Sequence, residues 1–205
     1  MKVLVISYLP SLERSRTKKL LDIFIENVKP ENTIEHLDLL QDPPDFITPE
    51  ILQAYVARNY QGKELSDEQK KHMSTFDRMT TQFKTADVVV LAFPMYNFSM
   101  PGLVKTYFDS VMLKGETFDA GKKGFVGLME GKKALVLSSS GGDYSGDNAK
   151  YNYLTTLTNA ELEFMGFSDI QIVSAQGVDM KSLDTEKIIA DARAKVKNII
   201  KTWDL

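Results

Sequence analysis

The chain alternates short apolar runs with longer stretches in which apolar residues recur at helical spacing. Val3-Leu4-Val5-Ile6 reads as a first strand, after which Leu20, Leu21, Phe24, Ile25 and Val28 mark one face of a helix. Ile34 to Leu39 is a weaker, partly alternating second strand, and Asp42-Pro43-Pro44-Asp45 breaks the chain behind it. A short helix is predicted over 49–58. A longer one starts at Ser66, whose spacing to Gln69 fits a capping box, with Met73, Phe76, Met79 and Phe83 as its stripe. Asp87 to Phe93 forms a third strand, and Pro101 suits the first turn of a helix that buries Leu103, Val104, Tyr107, Phe108 and Val111. The Gly-rich stretch 115–131 reads as a loop or small hairpin. Ala134 to Leu137 makes a fourth strand, followed by a helix carrying Leu154, Leu157 and Phe164 that Gly166 is placed to end. Ile170 to Val173 is a fifth strand, and Ile188, Ala192, Val196, Ile199, Ile200 and Trp203 line the last helix.

Five strands alternating with helices predict an open, mostly parallel α/β sheet. Strands covered on both faces read as continuous apolar runs, whereas partly exposed edge strands alternate. Strands one, three and four are continuous; two and five alternate. The order 2-1-3-4-5 therefore fits, because an order of 3-2-1-4-5 would expose the most apolar strand of all. The prediction is a flavodoxin-like three-layer sandwich whose ligand crevice lies beyond the carboxyl ends of strands one, three and four. No linker or repeat divides the 205 residues, so one domain is expected over 1–205.

Charge and chemistry narrow the function by subtraction. With 25 Lys+Arg against 28 Asp+Glu the chain lacks a basic footprint, which argues against nucleic acid. Cysteine is absent, which removes disulfides, thiol nucleophiles and zinc–thiolate sites. The longest apolar stretch, Val88 to Phe93, is far short of a membrane span, and the run Val3 to Ile6 is too short for an export signal. A cytoplasmic protein is expected. No G-x-G-x-x-G follows a strand, and Asp147-Asn148 stand where a P-loop needs Lys-Ser/Thr. His36, on a weak edge strand, and His72, in a polar helical stretch, read as surface residues, which leaves no triad or histidine metal site. Glu161 and Glu163 read as solvated helix surface.

What remains is one segment after each central strand. The first runs from Ser7 through Ser11, Ser15, Arg16 and Thr17 into a helix, where free amides, the helix dipole, hydroxyls and basic side chains favour an anion. The second, Pro94-Met95-Tyr96-Asn97-Phe98, offers apolar walls and an amide to a flat, partly polar ring. In the third, Ser139-Ser140-Gly141-Gly142, successive glycines let backbone approach a ligand closely. Taken singly, each has an ordinary structural role: an N-cap, a hydrophobic plug over the sheet end, a loose turn. Together they describe a mononucleotide carrying a planar ring. FMN fits, and it accounts for the shortage of catalytic side chains, since the cofactor supplies the chemistry.

These residues resemble the FMN-dependent NADH-azoreductases, the flavodoxin-like NADH:quinone oxidoreductases. The likeness covers essentially the whole chain. Its most specific element is Pro94-Met95-Tyr96-Asn97-Phe98 before an amphipathic helix, followed by Gly127-Leu128…Gly131-Lys132-Lys133-Ala134 and Ser139-Ser140-Gly141-Gly142. The resemblance implies FMN phosphate at Ser15, Arg16 and Thr17, isoalloxazine and ribityl contacts at Met95, Tyr96, Asn97 and Phe98, and the pyrimidine edge at Ser139, Ser140, Gly141 and Gly142. No side chain need act as a catalytic nucleophile, and Asn97 would tune the flavin. It implies ping-pong hydride transfer from NADH through bound FMN to a quinone or azo compound, in a homodimer whose sites are completed at the subunit interface. Tyr55, Tyr60, Tyr144 and Tyr151 are candidates for that interface. Tyr8 or Leu9 stands where some members carry Ser or His in the phosphate loop, and Ser140 stands where Arg or Asn is common. NADPH would need a basic pocket, for which Arg58, Lys63 and Lys122 are candidates; the resemblance favours NADH. A one-electron carrier of flavodoxin type, an FMN reductase releasing reduced flavin and an FMN-free α/β binding domain are the alternative readings.

Overall fold

A computed structural model describes residues 1–121 and 124–205; Lys122 lies outside them. In chain order it forms β1 (Lys2–Ser7), α1 (Arg16–Asn27), β2 (Thr33–Asp38), α2 (Pro49–Tyr55), α3 (Asp67–Thr85), β3 (Val88–Ala92), α4 (Gly102–Val111), β4 (Phe118–Gly121), β5 (Gly124–Gly127), β6 (Lys133–Ser140), α5 (Tyr153–Phe164), β7 (Asp169–Gln176) and α6 (Thr185–Trp203). The five-stranded sheet runs β2-β1-β3-β6-β7, all neighbours parallel. The expected numbering 2-1-3-4-5 needs correcting, because the antiparallel hairpin β4–β5 is interposed and takes two strand numbers.

The sheet is covered on both faces, and the period of two along its strands shows how. Val3 and Val5, with Val88, Val90 and Ala92, pack under α1 and α6 against Leu20, Phe24, Val196 and Trp203. Leu4 and Ile6, with Val89, Leu91 and Phe93, pack on the opposite face against Phe83 of α3, Tyr107 of α4 and Leu162 of α5. A smaller core of Ile51, Ala54, Met73 and Phe76 joins α2 to α3. The capping box is present: Gln69 N–H donates to Ser66 Oγ, and Ser66 N–H to Gln69 Oε1. α2 ends at Tyr55, and the predicted remainder of that helix is instead a π-helical turn, Val56–Tyr60.

Two features follow from packing that the linear pattern does not display. The hairpin closes so tightly on the end of α5 that a Cβ on Gly127 would lie 2.2 Å from the Gly166 nitrogen, with Met129 N–H donating to the Met165 carbonyl at 2.8 Å beside it. Glu161, expected with Glu163 on the solvated surface, is instead buried at 8% exposure. Residues two apart on a helix project about 200° apart, so the pair is split between faces. Glu161 turns towards α4, where Lys105 Nζ is 3.5 Å from its Oε1, while its Oε2 has no partner. Burial, opposed by Lys105, raises its pKa from 4.5 to about 7.

Gly127→Ala should cost about 3 kcal/mol in urea unfolding, since backbone must move, whereas Gly121→Ala, whose Cβ has 3.9 Å of room, should change little. A buried acid with a raised pKa keeps a proton that the unfolded chain releases, so its contribution is most favourable below about pH 4.5 and is lost as pH rises through about 7. Glu161→Gln should therefore flatten the fall in unfolding free energy between about pH 5 and 8; an unchanged slope would show that this carboxyl is ionised throughout.

Candidate functional site

Beyond the carboxyl ends of β1, β3 and β6 lies an open cleft of about 330 Å³. Its first wall comes from the β1–α1 connection. A single 3₁₀ turn, Leu12–Arg14, leads into Ser15, which caps α1 by accepting the Lys18 amide at 3.1 Å. The amides of Arg16 and Thr17, in the first turn, have no intrahelical acceptor, and the helix dipole makes this end favourable for an anion. Ser11, Arg14, Ser15 and Arg16 line the cleft. Thr17 does not: it is fully buried, and its Oγ1 is 2.8 Å from Ser139 Oγ.

The second wall follows β3. Met95 N–H donates to the Ser139 carbonyl at 2.9 Å, and Tyr96 and Ser99 exchange two main-chain hydrogen bonds of 3.0 Å around Asn97 and Phe98. Both central residues have positive φ, 47° and 73°. That is the backbone of a type I′ turn, which suits Asn and is costly for Phe. The strained turn is held from outside. Leu154 N–H donates to the Phe98 carbonyl at 2.9 Å, and the Phe98 ring packs against Tyr144 and Tyr151, 5.9 and 5.7 Å between centroids. Tyr96 and Phe98 nevertheless stay 42% and 45% exposed. Partial burial, and then the neighbouring Tyr8 hydroxyl, holds the Tyr96 phenol above its ordinary pKa range.

The third wall corrects the expected turn at 139–142. Ser139 and Ser140 belong to β6, which β7 pairs all the way to Ser140↔Gln176. The glycines are not bare either. A Cβ on Gly141 would lie 2.7 Å from Asp179 Oδ2, and one on Gly142 would lie 3.4 Å from the Tyr144 hydroxyl. The segment after β7 is stitched to this wall, with Gly177, Val178 and Asp179 amides donating to the carbonyls of Gly142, Ser140 and Gly141.

Of the residues anticipated from the sequence, Ser15, Arg16, Met95, Tyr96, Ser139, Ser140 and Gly141 line the cleft together. Thr17, Asn97, Phe98 and Gly142 support or flank it. Arg14, Val178 and Asp179 also line it and were missed. The last two follow an edge strand, whose loop the central-strand rule leaves out. His36, expected free at the surface, meets Ser7 Oγ through Nε2 at 2.9 Å. Arg58 is likewise engaged, by Asp77 at 2.8 Å. A second cavity of about 360 Å³, between α2, α4 and α5, holds Lys105, Asp109 and Glu161 among apolar side chains and shares no lining residue with the cleft.

Residues 1–200 match a family model described as the flavodoxin-like fold. An FMN-dependent NADH:quinone oxidoreductase of Exiguobacterium sp. is 32% identical over 204 residues, covering 98% of this chain and 95% of that protein. One of the same name from Lachnoclostridium phytofermentans is 35% identical over 192 residues, covering 92% of each. Among solved structures, an FMN-dependent NADH-azoreductase from Bacillus anthracis str. Ames Ancestor in complex with FMN superposes with a TM-score of 0.87 at 30% identity, covering 98% of each chain. With matches of that extent falling on the very strands and loops that build the cleft, the chain belongs to the flavodoxin-like family, among its FMN-dependent NADH:quinone oxidoreductases.

Proposed function

We propose that this protein uses FMN to carry electrons from NADH to quinones or azo compounds, with all 205 residues serving as one FMN-binding domain. The observation that carries the reading is the cleft itself. A helix start with free amides and two arginines stands across from a strained turn flanked by exposed aromatic side chains. Such a cleft complements a molecule with a phosphate at one end and a flat ring at the other. The relatives named above support it.

The residues present fit FMN. The Arg16 and Thr17 amides and the Arg16 and Ser15 side chains would hold the phosphate, charge-assisted at the dipole's positive end. Met95, Tyr96, Asn97 and Phe98 would flank the ring, and the Ser139–Gly142 backbone would meet its pyrimidine edge. When bound, FMN supplies the hydride chemistry, which leaves the protein to bind, orient and shield. Asn97 fits that division of labour: an amide both donates and accepts, so it suits a ring whose edge carries both kinds of group. Thr17 acts at one remove, its hydroxyl tying the start of α1 to β6 so that the phosphate end and the ring end keep their separation. Preorganised geometry of this kind lowers the cost of bringing two flat reactants face to face.

NADH is the donor in the names of the relatives, and one of the cations anticipated for an NADPH 2′-phosphate is already engaged. Arg58 already neutralises Asp77, which leaves it poorly suited to a 2′-phosphate. Completion of the site by a second copy is part of the same proposal. Phe98 and Tyr96 stand exposed at the cleft, and Phe46, Ile47, Leu52, Phe125 and Val126 leave further apolar surface in solvent. Tyr55 and Tyr60, anticipated at that interface, pack edge to face at 5.5 Å, with Lys114 N–H donating to the Tyr55 hydroxyl. No described helix is long and apolar enough to cross a membrane, consistent with a cytoplasmic setting.

Purified protein should be yellow, or become so with FMN, should bleach under anaerobic NADH, and should regain its colour when a quinone is added. A yellow protein whose spectrum NADH leaves untouched would sink the enzyme reading in favour of an electron carrier. At the second wall, Asn97→Gly keeps a residue that accepts positive φ and removes only the amide. It should leave thermal stability nearly unchanged and weaken FMN binding about tenfold, the value of one good hydrogen bond to a ligand. Unaltered FMN affinity would remove Asn97 from the site.

A further inference from the structure

The second cavity, of about 360 Å³ between α2, α4 and α5, lies outside everything assigned to FMN and is built differently. Tyr55, Tyr60, Phe76, Phe118 and Phe164 give it an aromatic lining, and the half-exposed Ile47 and Leu52 mark its mouth. Three charged groups stand among them. Lys105 and Asp109, one turn apart on α4, are bonded to each other, so that pair is neutral. Glu161 reaches the cavity from α5, with its Oε1 3.5 Å from the same Lys105 ammonium. One cation therefore answers two carboxylates. A surface carboxylate would make up the shortfall with water, but only 9% of the Glu161 side chain is exposed, and its Oε2 is buried without a donor. A buried acceptor left unmet is costly unless something else brings the donor.

The make-up of the cavity says what could bring it. With Glu161 ionised, the three groups sum to one negative charge, which repels an anion and leaves a neutral ligand with an uncompensated neighbour. A cation carrying N–H groups would neutralise that charge and meet the carboxylate in a charge-assisted hydrogen bond. Aromatic side chains attract cations as well, and the volume falls within the range of small-molecule sites. We propose that this cavity binds a small hydrophobic ammonium ion, a primary amine on an aromatic or branched-alkyl body, with Glu161 as its counterion. The assignment stands apart from the FMN reading, because the two sites share no lining residue. Burial, opposed by Lys105, pushes the Glu161 carboxyl up to about 7, so the ammonium ion binds better as pH rises through that value and the carboxyl gives up its proton. Of the other titratable groups on the walls, Lys105 and Asp109 are paired, and burial pushes the Tyr55 hydroxyl up to about 12 beside Tyr60.

The test is calorimetric titration of the full-length protein, with FMN in excess, by phenethylammonium and by phenethyl alcohol and hydrocinnamate, which carry the same ring on a neutral and an anionic head. The ammonium ion should bind with a Kd of about 0.1 mM, the alcohol about tenfold more weakly and the anion not at all. Its affinity should rise about tenfold between about pH 6 and 8. Glu161→Gln should weaken the ammonium ion about tenfold, abolish that pH dependence and leave the alcohol unchanged. Leu52→Trp, a change at the half-exposed mouth that spares the buried charges, should weaken ammonium ion and alcohol alike, which separates this cavity from the strand-end cleft. Equal affinity for the ammonium ion and the alcohol would overturn the proposal, since the carboxylate would then play no part. A pH profile shared by wild type and Glu161→Gln, or binding untouched by Leu52→Trp, would do the same. So would binding of none of the three probes, the mouth then being closed by whatever covers Ile47 and Leu52, a second copy of the chain included.

Discussion

Parallel pairing does not stop where the strands of the central sheet stop, and the cleft depends on that. Tyr8 N–H reaches the Ala92 carbonyl, Phe93 that of Leu137, Met95 that of Ser139, and Val178 that of Ser140. Each bond carries the ladder one or more residues past a strand end. Loops that would otherwise leave the sheet in independent directions are thereby sewn edge to edge, so their side chains face a common space. Burial on both faces is what makes the strands stiff enough to serve as the base of such a seam. In the three central strands nearly every side chain is sealed from water.

The seam also explains where strain can be tolerated. A phenylalanine at φ 73° costs of order 1–3 kcal/mol and persists only where its surroundings over-determine it. Here the Tyr96–Ser99 pair closes the turn, Leu154 clamps its carbonyl, and Tyr144 and Tyr151 pack against its ring. Relaxing the turn would forfeit all of these at once. The result is an aromatic side chain held rigidly while 45% exposed, which is the opposite of where a phenylalanine goes when burial alone decides.

Much of this was legible in the chain because it depends on local pattern. Continuous apolar runs identify the strands buried on both sides, Ser66 and Gln69 mark a helix start, and the three loops after the central strands stand out in the sequence itself. What was not legible depends on register or on partners far away in sequence. The end of β6 was misplaced because Ser138-Ser139-Ser140 looks like a turn until β7 is there to pair with it. Glu161 looked solvated because the hairpin and α4 that enclose it come from elsewhere in the chain. Asp179 was passed over because the rule that points to central strands is silent about an edge strand, yet three main-chain bonds tie its loop to the end of β6. The Thr17 hydroxyl is taken up by Ser139, which leaves its main-chain amide for a ligand, a division the sequence does not display.

Perturbed ionisation is a common guide to active sites, and the largest shifts here lie in the second cavity and the sheet's core. Among the described groups Glu161 is raised to about 7 and Tyr55 to about 12, both chiefly by burial, and both line the second cavity. Tyr107 is raised further still, inside the sheet's core. Within the cleft, partial burial holds the Tyr96 phenol above its ordinary range. A site built for proton transfer by its own side chains would concentrate such shifts where the substrate lies. A site whose task is to hold a reactive ring at a fixed height and angle needs hydrogen-bond donors, flat walls and a rigid base instead. The cleft has these in the free amides of α1, the turn at Asn97–Phe98 and the sewn ends of β1, β3 and β6. Such a construction suits a division in which a bound ring would do the chemistry and the chain the positioning.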